Sequence, residues 1–374
     1  MTKAPRRSPK VPRIDPRAYH GPLGEIVRQL APTTEADPVG VLASLLAYVG
    51  TMIGDGPHVR VGNRPQPARI WPLLLGATGS GRKGTATADA ESVVTAFDSY
   101  FLQECQVSGL STGEGLIHRL RDRDGDDAGA TDKRLLVIES EFARVLGITR
   151  REGNTLSEVL RGMWESGAAA VLTRGQPLAC TGAHVSIIGH VTQRELRIKL
   201  AERDVAGGLV NRFLPLVVDR SQLLPYEVDS PDLRAVTGQV QRRIAAARKV
   251  GRVRRTPAAE DLWGDAYLAL NDDRHDGPLG EVIARGALHA AYRAAVRAPR
   301  RPPGDRHRPP PRRARPLAVR GRLGPADVRG LHRAHRPGPA PRFPGIRLRW
   351  PYSHGGRRPV RSQQGRQGDR RAHR

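Results

Sequence analysis

A chain of 374 residues with two cysteines, Cys105 and Cys180, suits one large domain or two and offers neither a disulfide framework nor a cysteine-held zinc. No amino-terminal signal peptide is legible, and the longest mostly apolar run, residues 39–53, is too short to span a bilayer, so a cytoplasmic protein without a membrane segment is expected. The net charge of +25 suggests nucleic acid until it is mapped: residues 291–374 hold 24 Arg, three Asp and no Lys or Glu, which places +21 there and leaves +4 on residues 1–290.

Taken in order, residues 1–19 are basic and proline-rich and read as a disordered lead-in. Residues 20–66 read as an N-terminal helical segment. A short helix over 24–30 precedes a longer one whose Val39, Leu42, Leu45, Leu46, Val49 and Ile53 recur at helical spacing, and a strand covers 58–61. Residues 67–225 read as the core. An apolar strand at 71–75 leads through a glycine-rich loop into a helix over 87–104, and a further helix opens at Thr112. Residues 121–129 form a solvated acidic loop. Residues 135–141 have the pattern of a buried parallel strand, and residues 155–166 make a helix with Trp164 on its apolar side. A strand pair is expected around Gly175, a buried strand over 184–191, a helix capped by Thr192 and Glu195, and a last strand within 207–219. Residues 226–290 contain helices over 233–250 and 258–270 and the start of another at 278–296, a helical segment cut short. Strands alternating with helices indicate an α/β fold with a mainly parallel sheet.

From about residue 291 the text turns to Arg, Pro, Gly, Ala and His, with 14 of the chain's 31 prolines. That composition reads as out-of-frame translation of GC-rich codons; the other reading is a basic disordered arm for nucleic acid or acidic surfaces.

The chemistry centres on Gly76, Gly79, Ser80, Gly81, Arg82, Lys83, Gly84 and Thr85, between the apolar strand and the helix. Strand, glycine loop, helix is a layout that cradles phosphate: backbone N–H groups and the helix dipole face the anion, and a lysine adds charge. The usual spacing, G-x-x-x-x-G-K-[ST], is met by Gly76 and Gly81 but is out of step beyond them. Arg82 stands at the lysine position, Lys83 at the hydroxyl position, and Thr85 comes two residues later. The plainer reading is an ordinary glycine-rich turn. Glu139 and Glu141 end the 135–141 strand, where P-loop enzymes hold Mg²⁺ and orient water. Strand alternation would put both on one side with Ser140 opposite; the plainer reading is an acidic helix start. His190 at a strand end is a candidate sensor of phosphate or a structural histidine. Arg212, and more weakly Arg174, are candidate arginine fingers or surface ion pairs. His184 and His190 flank one strand without further ligands, so they make no metal site of their own.

Six separated motifs resemble, in order, the family known as "domain of unknown function 3987": GPLGEIV at 21–27, GATGSGRKGT at 76–85, ESEF at 139–142, LSEVLRGMW at 156–164, IIGHVT at 187–192 and NRFL at 211–214. The resemblance covers roughly residues 20–290. It implies a RecA-like P-loop core in a primase-helicase-like ATPase of plasmids, phages and integrated elements, using ATP and Mg²⁺ in DNA replication. Gly79, Gly81, Arg82, Lys83 and Thr85 then correspond to the nucleotide loop. On that reading Glu139 with Thr85 or Ser80 approaches Mg²⁺, Glu141 polarises water, and Arg212 stabilises transition-state charge. Single-stranded DNA, a separate primase-polymerase chain and further copies of the protein are the implied partners. Family members continue into a mixed-charge helical region, from which this sequence departs at about residue 288. The competing reading is a P-loop-fold DNA-binding or assembly module without turnover, or a non-functional frameshifted copy.

Overall fold

The computed structural model describes residues 14–172, 178–199 and 207–270. The basic lead-in, Arg174, the expected helix at 278–296 and the tail 291–374 lie outside them, apart from residues 14–19 of the lead-in.

Helix α1 (Gly21–Leu30) buries Leu23, Ile26, Val27 and Leu30, four positions at helical spacing. Helix α2 (Pro38–Ile53) starts with proline at its first position and with Asp37 accepting a hydrogen bond from the Val39 N–H at 2.9 Å. It stops at Gly54, whose φ of 81° closes the helix. Residues 40–52 of α2 are buried all round. Such a helix belongs inside a core, and α2 packs on α1, on α3 (Lys83–Thr95) and on the sheet. The N-terminal helices therefore share one buried cluster with the strands rather than standing apart.

A hairpin, β1 (His58–Val61) with β2 (Arg64–Pro67), follows α2. Its second strand carries Pro65 and Pro67, which mask it in the sequence and are tolerated because it pairs on one side only. The central sheet has five strands: β3 (Pro72–Leu75), β4 (Gln106–Val107), β5 (Arg134–Glu139), β8 (His184–Val191) and β9 (Leu214–Val217). Their order is β4-β5-β8-β3-β9 and every pairing is parallel. Strands β6 (Ala169–Val171) and β7 (Leu178–Cys180) pair antiparallel, as the expected strand pair does, and Gly175 lies outside the described residues.

Three expected elements differ. The helix over 87–104 begins earlier, at Lys83, and divides into α3 and α4 (Ser99–Cys105), because Asp98 caps a new start by accepting from the Phe101 N–H at 3.0 Å. The strand within 207–219 shortens to β9, preceded by a 3₁₀ turn at Val210–Arg212. The strand ending in two carboxylates stops at Glu139, and Glu141 already precedes helix α6 (Phe142–Ile148).

Helix α5 (Gly113–Arg119) packs on α7 (Leu156–Glu165), while α6 and α7 reach β8. Strand β8 is buried over its full length because α2 covers one side and α6 and α7 the other. Helix α8 (Gln193–Lys199) follows β8 behind the expected capping box: Thr192 Oγ1 accepts from the Glu195 N–H at 3.0 Å, and Glu195 Oε2 accepts from the Thr192 N–H at 3.0 Å. Helices α9 (Arg234–Ala247) and α10 (Pro257–Leu270) complete the described chain, α9 lying on α1 and α2. Among the described residues no helix is long and apolar enough to cross a membrane.

This topology opens a crevice at one end of the sheet. From β3 the chain leaves towards the β4 edge, whereas from the neighbouring β8 it leaves towards β9 on the other side. Adjacent parallel strands whose connections diverge open a crevice at their carboxyl ends. The glycine loop follows β3 and His190 lies in β8, at that crevice.

Candidate phosphate-binding site

The loop after β3 is built from glycines that its own backbone requires. A Cβ at Gly81 would lie 2.7 Å from the Ala77 carbonyl oxygen, and one at Gly76 would lie 2.9 Å from that of Val218. Gly79 adopts φ 71°. Residues 77–80 are exposed while Gly76 and Gly81 are buried, so the loop projects from a fixed base. Among the described residues the N–H groups of Thr78, Gly79, Lys83 and Gly84 make no hydrogen bond. They form a set of donors around the start of α3.

The out-of-step spacing resolves at Arg82. It has φ 43°, the one positive φ among non-glycine described residues. That left-handed turn absorbs one extra residue and swings the guanidinium outwards to Glu35, at 2.7 Å from Nε and 2.5 Å from Nη2. Arg82 is therefore engaged away from the loop. Lys83 opens α3 and folds back, its Nζ donating to the carbonyl oxygens of Gly76 at 2.7 Å and Ala77 at 3.1 Å. The ammonium over the loop is thus that of Lys83, one residue after the position the usual spacing gives to lysine. Burial lowers the pKa of Lys83, opposed by the nearby charges of Glu195 and Glu141.

Beneath it, Thr87 Oγ1 and His190 Nε2 are 2.8 Å apart, and Ser44 Oγ lies 3.4 Å from the same hydroxyl. Burial, and then the charge of Lys83, bring the His190 pKa down to about 4, so the ring is neutral at physiological pH. Thr87 and Ser44 had no signal of their own in the sequence. Only the four-residue interval from Lys83 put Thr87 on the same side of α3.

The remaining expected residues are not brought together. Thr85, two positions from Lys83, is turned roughly 200° around α3 and lines a groove with Glu35, Arg82 and Asp89. Gly84, next to Lys83, has no hydroxyl to offer. Glu139 is buried, with both oxygens in use: Oε1 accepts from the N–H groups of Gly109 at 2.8 Å and Leu110 at 2.6 Å, and Oε2 from Arg144 at 2.9 Å. It sits in register with Gly189 and Leu73, two strands from β3. Glu139 and Thr85 therefore do not assemble as ligands for Mg²⁺. Glu141 is exposed beyond the strand end, where strand alternation no longer applies.

Arg212 is the clearest correction. It precedes β9 and so lies at the amino end of the sheet, about 13 Å of strand from the level of the loop. It is 6% exposed, donates to Glu165 at 2.7 Å and lies over the Trp164 ring. A guanidinium held this way is not directed at the glycine loop of its own chain. His184, at the amino end of β8, is buried and held neutral by burial and by Arg69.

The chain matches no protein family profile and no curated protein.

Proposed function

We propose that the protein binds ATP, with the β- and γ-phosphates on the loop between β3 and α3, and that it is a RecA-like P-loop protein of the helicase-like kind its motifs resemble. The observation that carries this is the Lys83 ammonium, held against the Gly76 and Ala77 carbonyls over a loop whose N–H groups at Thr78, Gly79, Lys83 and Gly84 are unbonded. A phosphate there receives backbone donors, a helix N-terminus and a point charge together. Its place at the diverging carboxyl ends of β3 and β8 supports the same reading.

Two carboxylates act on the charge of Lys83; Glu195 is engaged in capping α8, and for hydrolysis the exposed Glu141 is the candidate. Its task is to orient water. His190, neutral and tied to Thr87, fixes the floor of the site. Because Glu139 has both oxygens engaged and Thr85 faces the groove rather than the loop, no step is assigned to Mg²⁺. Work on single-stranded DNA, in company with further copies or a primase-polymerase chain, rests on the resemblance. The exposed Arg194, Arg197 and Lys199 of α8, directly beyond β8, agree with it. The engagement of Glu139 favours a second reading, in which nucleotide is bound without turnover.

The test is equilibrium binding of ATP to the full chain and to Lys83→Ala, followed by phosphate release from the wild type and Glu141→Gln. Saturable binding that weakens by about tenfold or more without Lys83 supports the site. Equal affinity in both proteins removes it. Binding without phosphate release selects the second reading.

A further inference from the structure

A groove of about 300 Å³ adjoins the glycine loop on the side away from His190. It lies between the outer face of the first turns of α3, where Arg82, Thr85 and Asp89 stand, and the segment after β9, where Leu224, Tyr226 and Val228 stand. We infer that this groove receives the nucleoside half of the ligand, with Tyr226 stacking on the base. The inference rests on the phosphate reading of the loop, and it adds the direction in which the ligand runs.

Four observations carry it. The groove is continuous with the loop, because Arg82 and Thr85 belong to both. Its volume suits a small organic group, at the lower end of ligand pockets. Tyr226 is 84% exposed and lines the groove together with Val228, and aromatic side chains accept any base because every base has a π-face. Polar groups at the other wall are suited to ribose or an exocyclic amine: Asp89 Oδ2 accepts from Thr34 at 2.7 Å, and its second oxygen accepts nothing from the described residues.

The walls are fixed to each other rather than loosely apposed. Glu35 takes Arg82 on one oxygen and the Leu224 N–H, at 2.8 Å, on the other. The Ser221 N–H donates to the Glu35 carbonyl at 3.0 Å, and the Gln222 amide donates to the carbonyls of Ala31 at 2.8 Å and Thr34 at 2.9 Å. The segment that presents Tyr226 is thereby strapped to the same residues that hold Arg82 out of the loop. Phosphates on the β8 side and nucleoside on the β9 side give the ligand one orientation across β3.

Inorganic tripolyphosphate separates the two halves. In the full chain, Tyr226→Ala should weaken ATP by about fivefold or more and leave tripolyphosphate unchanged, while Tyr226→Phe should bind both as the wild type does. Lys83→Ala should weaken both ligands. If Tyr226→Ala binds ATP as the wild type does while Lys83→Ala does not, the groove is not the nucleoside site and the phosphate reading stands. If the wild type binds neither ATP nor tripolyphosphate, the phosphate reading falls and this inference falls with it. A parallel loss of both ligands in Tyr226→Ala also overturns it, because an aromatic that meets only the base cannot act on tripolyphosphate.

Discussion

The two ends of the parallel sheet use the same residue types for opposite purposes. At the amino end, Arg69 donates to the carbonyls of Trp164 and Ala183, Arg212 pairs with Glu165 across Trp164, and His184 lies fully buried. Each cation there is spent on fastening the strand starts to α7 and its neighbours. At the carboxyl end the loop is exposed, Lys83 has two carbonyls for partners, and Glu141 faces solvent. The difference teaches that an arginine or histidine beside a strand says little until its end of the sheet is known. In a parallel sheet only the carboxyl ends, where connections diverge, leave polar groups free for a ligand.

Exchanging one cation at each end gives the largest contrast. Arg212→Met should cost roughly 3–4 kcal/mol in denaturant unfolding, by removing the ion pair and the stack on Trp164, and should leave ATP affinity of the folded protein unchanged. Lys83→Ala should do the reverse. Loss of ATP affinity in folded Arg212→Met would mean that the two ends are not independent.

A pH titration sharpens the comparison of the histidines. The folded-state pKa of His190, about 4, lies below the unfolded value. Its stabilising contribution is therefore complete above about pH 6.5 and is lost as pH falls towards 4, amounting to roughly 3 kcal/mol. His184 acts in the same direction. His190→Gln should consequently flatten part of the stability loss between pH 6.5 and 4, and an unchanged slope would contradict the assigned environment.

Glu139→Gln keeps an acceptor for Gly109 and Leu110 but loses the charge that faces Arg144. It should cost about 1–2 kcal/mol. Nucleotide affinity should hold, because the side chain serves the 109–110 loop rather than the phosphates. A selective loss of Mg²⁺-dependent binding in this variant would restore Glu139 as a metal ligand. The smallest effect concerns the thiols: burial raises Cys105 to about 12 and Cys180 to about 11, so neither should react with iodoacetamide at neutral pH while the protein is folded.

Much of the fold was legible because local chemistry and burial agreed. The apolar runs of β5 and β8, the helical spacing in α2 and the Thr192–Glu195 box each point one way at every level. The break at Asp98 and the strand through Pro65 and Pro67 were hidden. A capping carboxylate inside a periodic stretch, or a proline at a sheet edge, is settled by what packs against it.

The sequence by itself determined that strands alternate with helices, that a glycine loop joins the first core strand to a helix, and that carboxylates and a histidine follow at later strand ends. Those are properties of neighbours along the chain. Only the tertiary structure decided that Lys83 rather than Arg82 covers the loop, that Glu139 is occupied, and that Arg212 stands at the wrong end. Each of those depends on a left-handed turn, a backbone donor or an ion-pair partner supplied by residues 29 to 47 positions away, and no spacing rule along the chain encodes such a meeting.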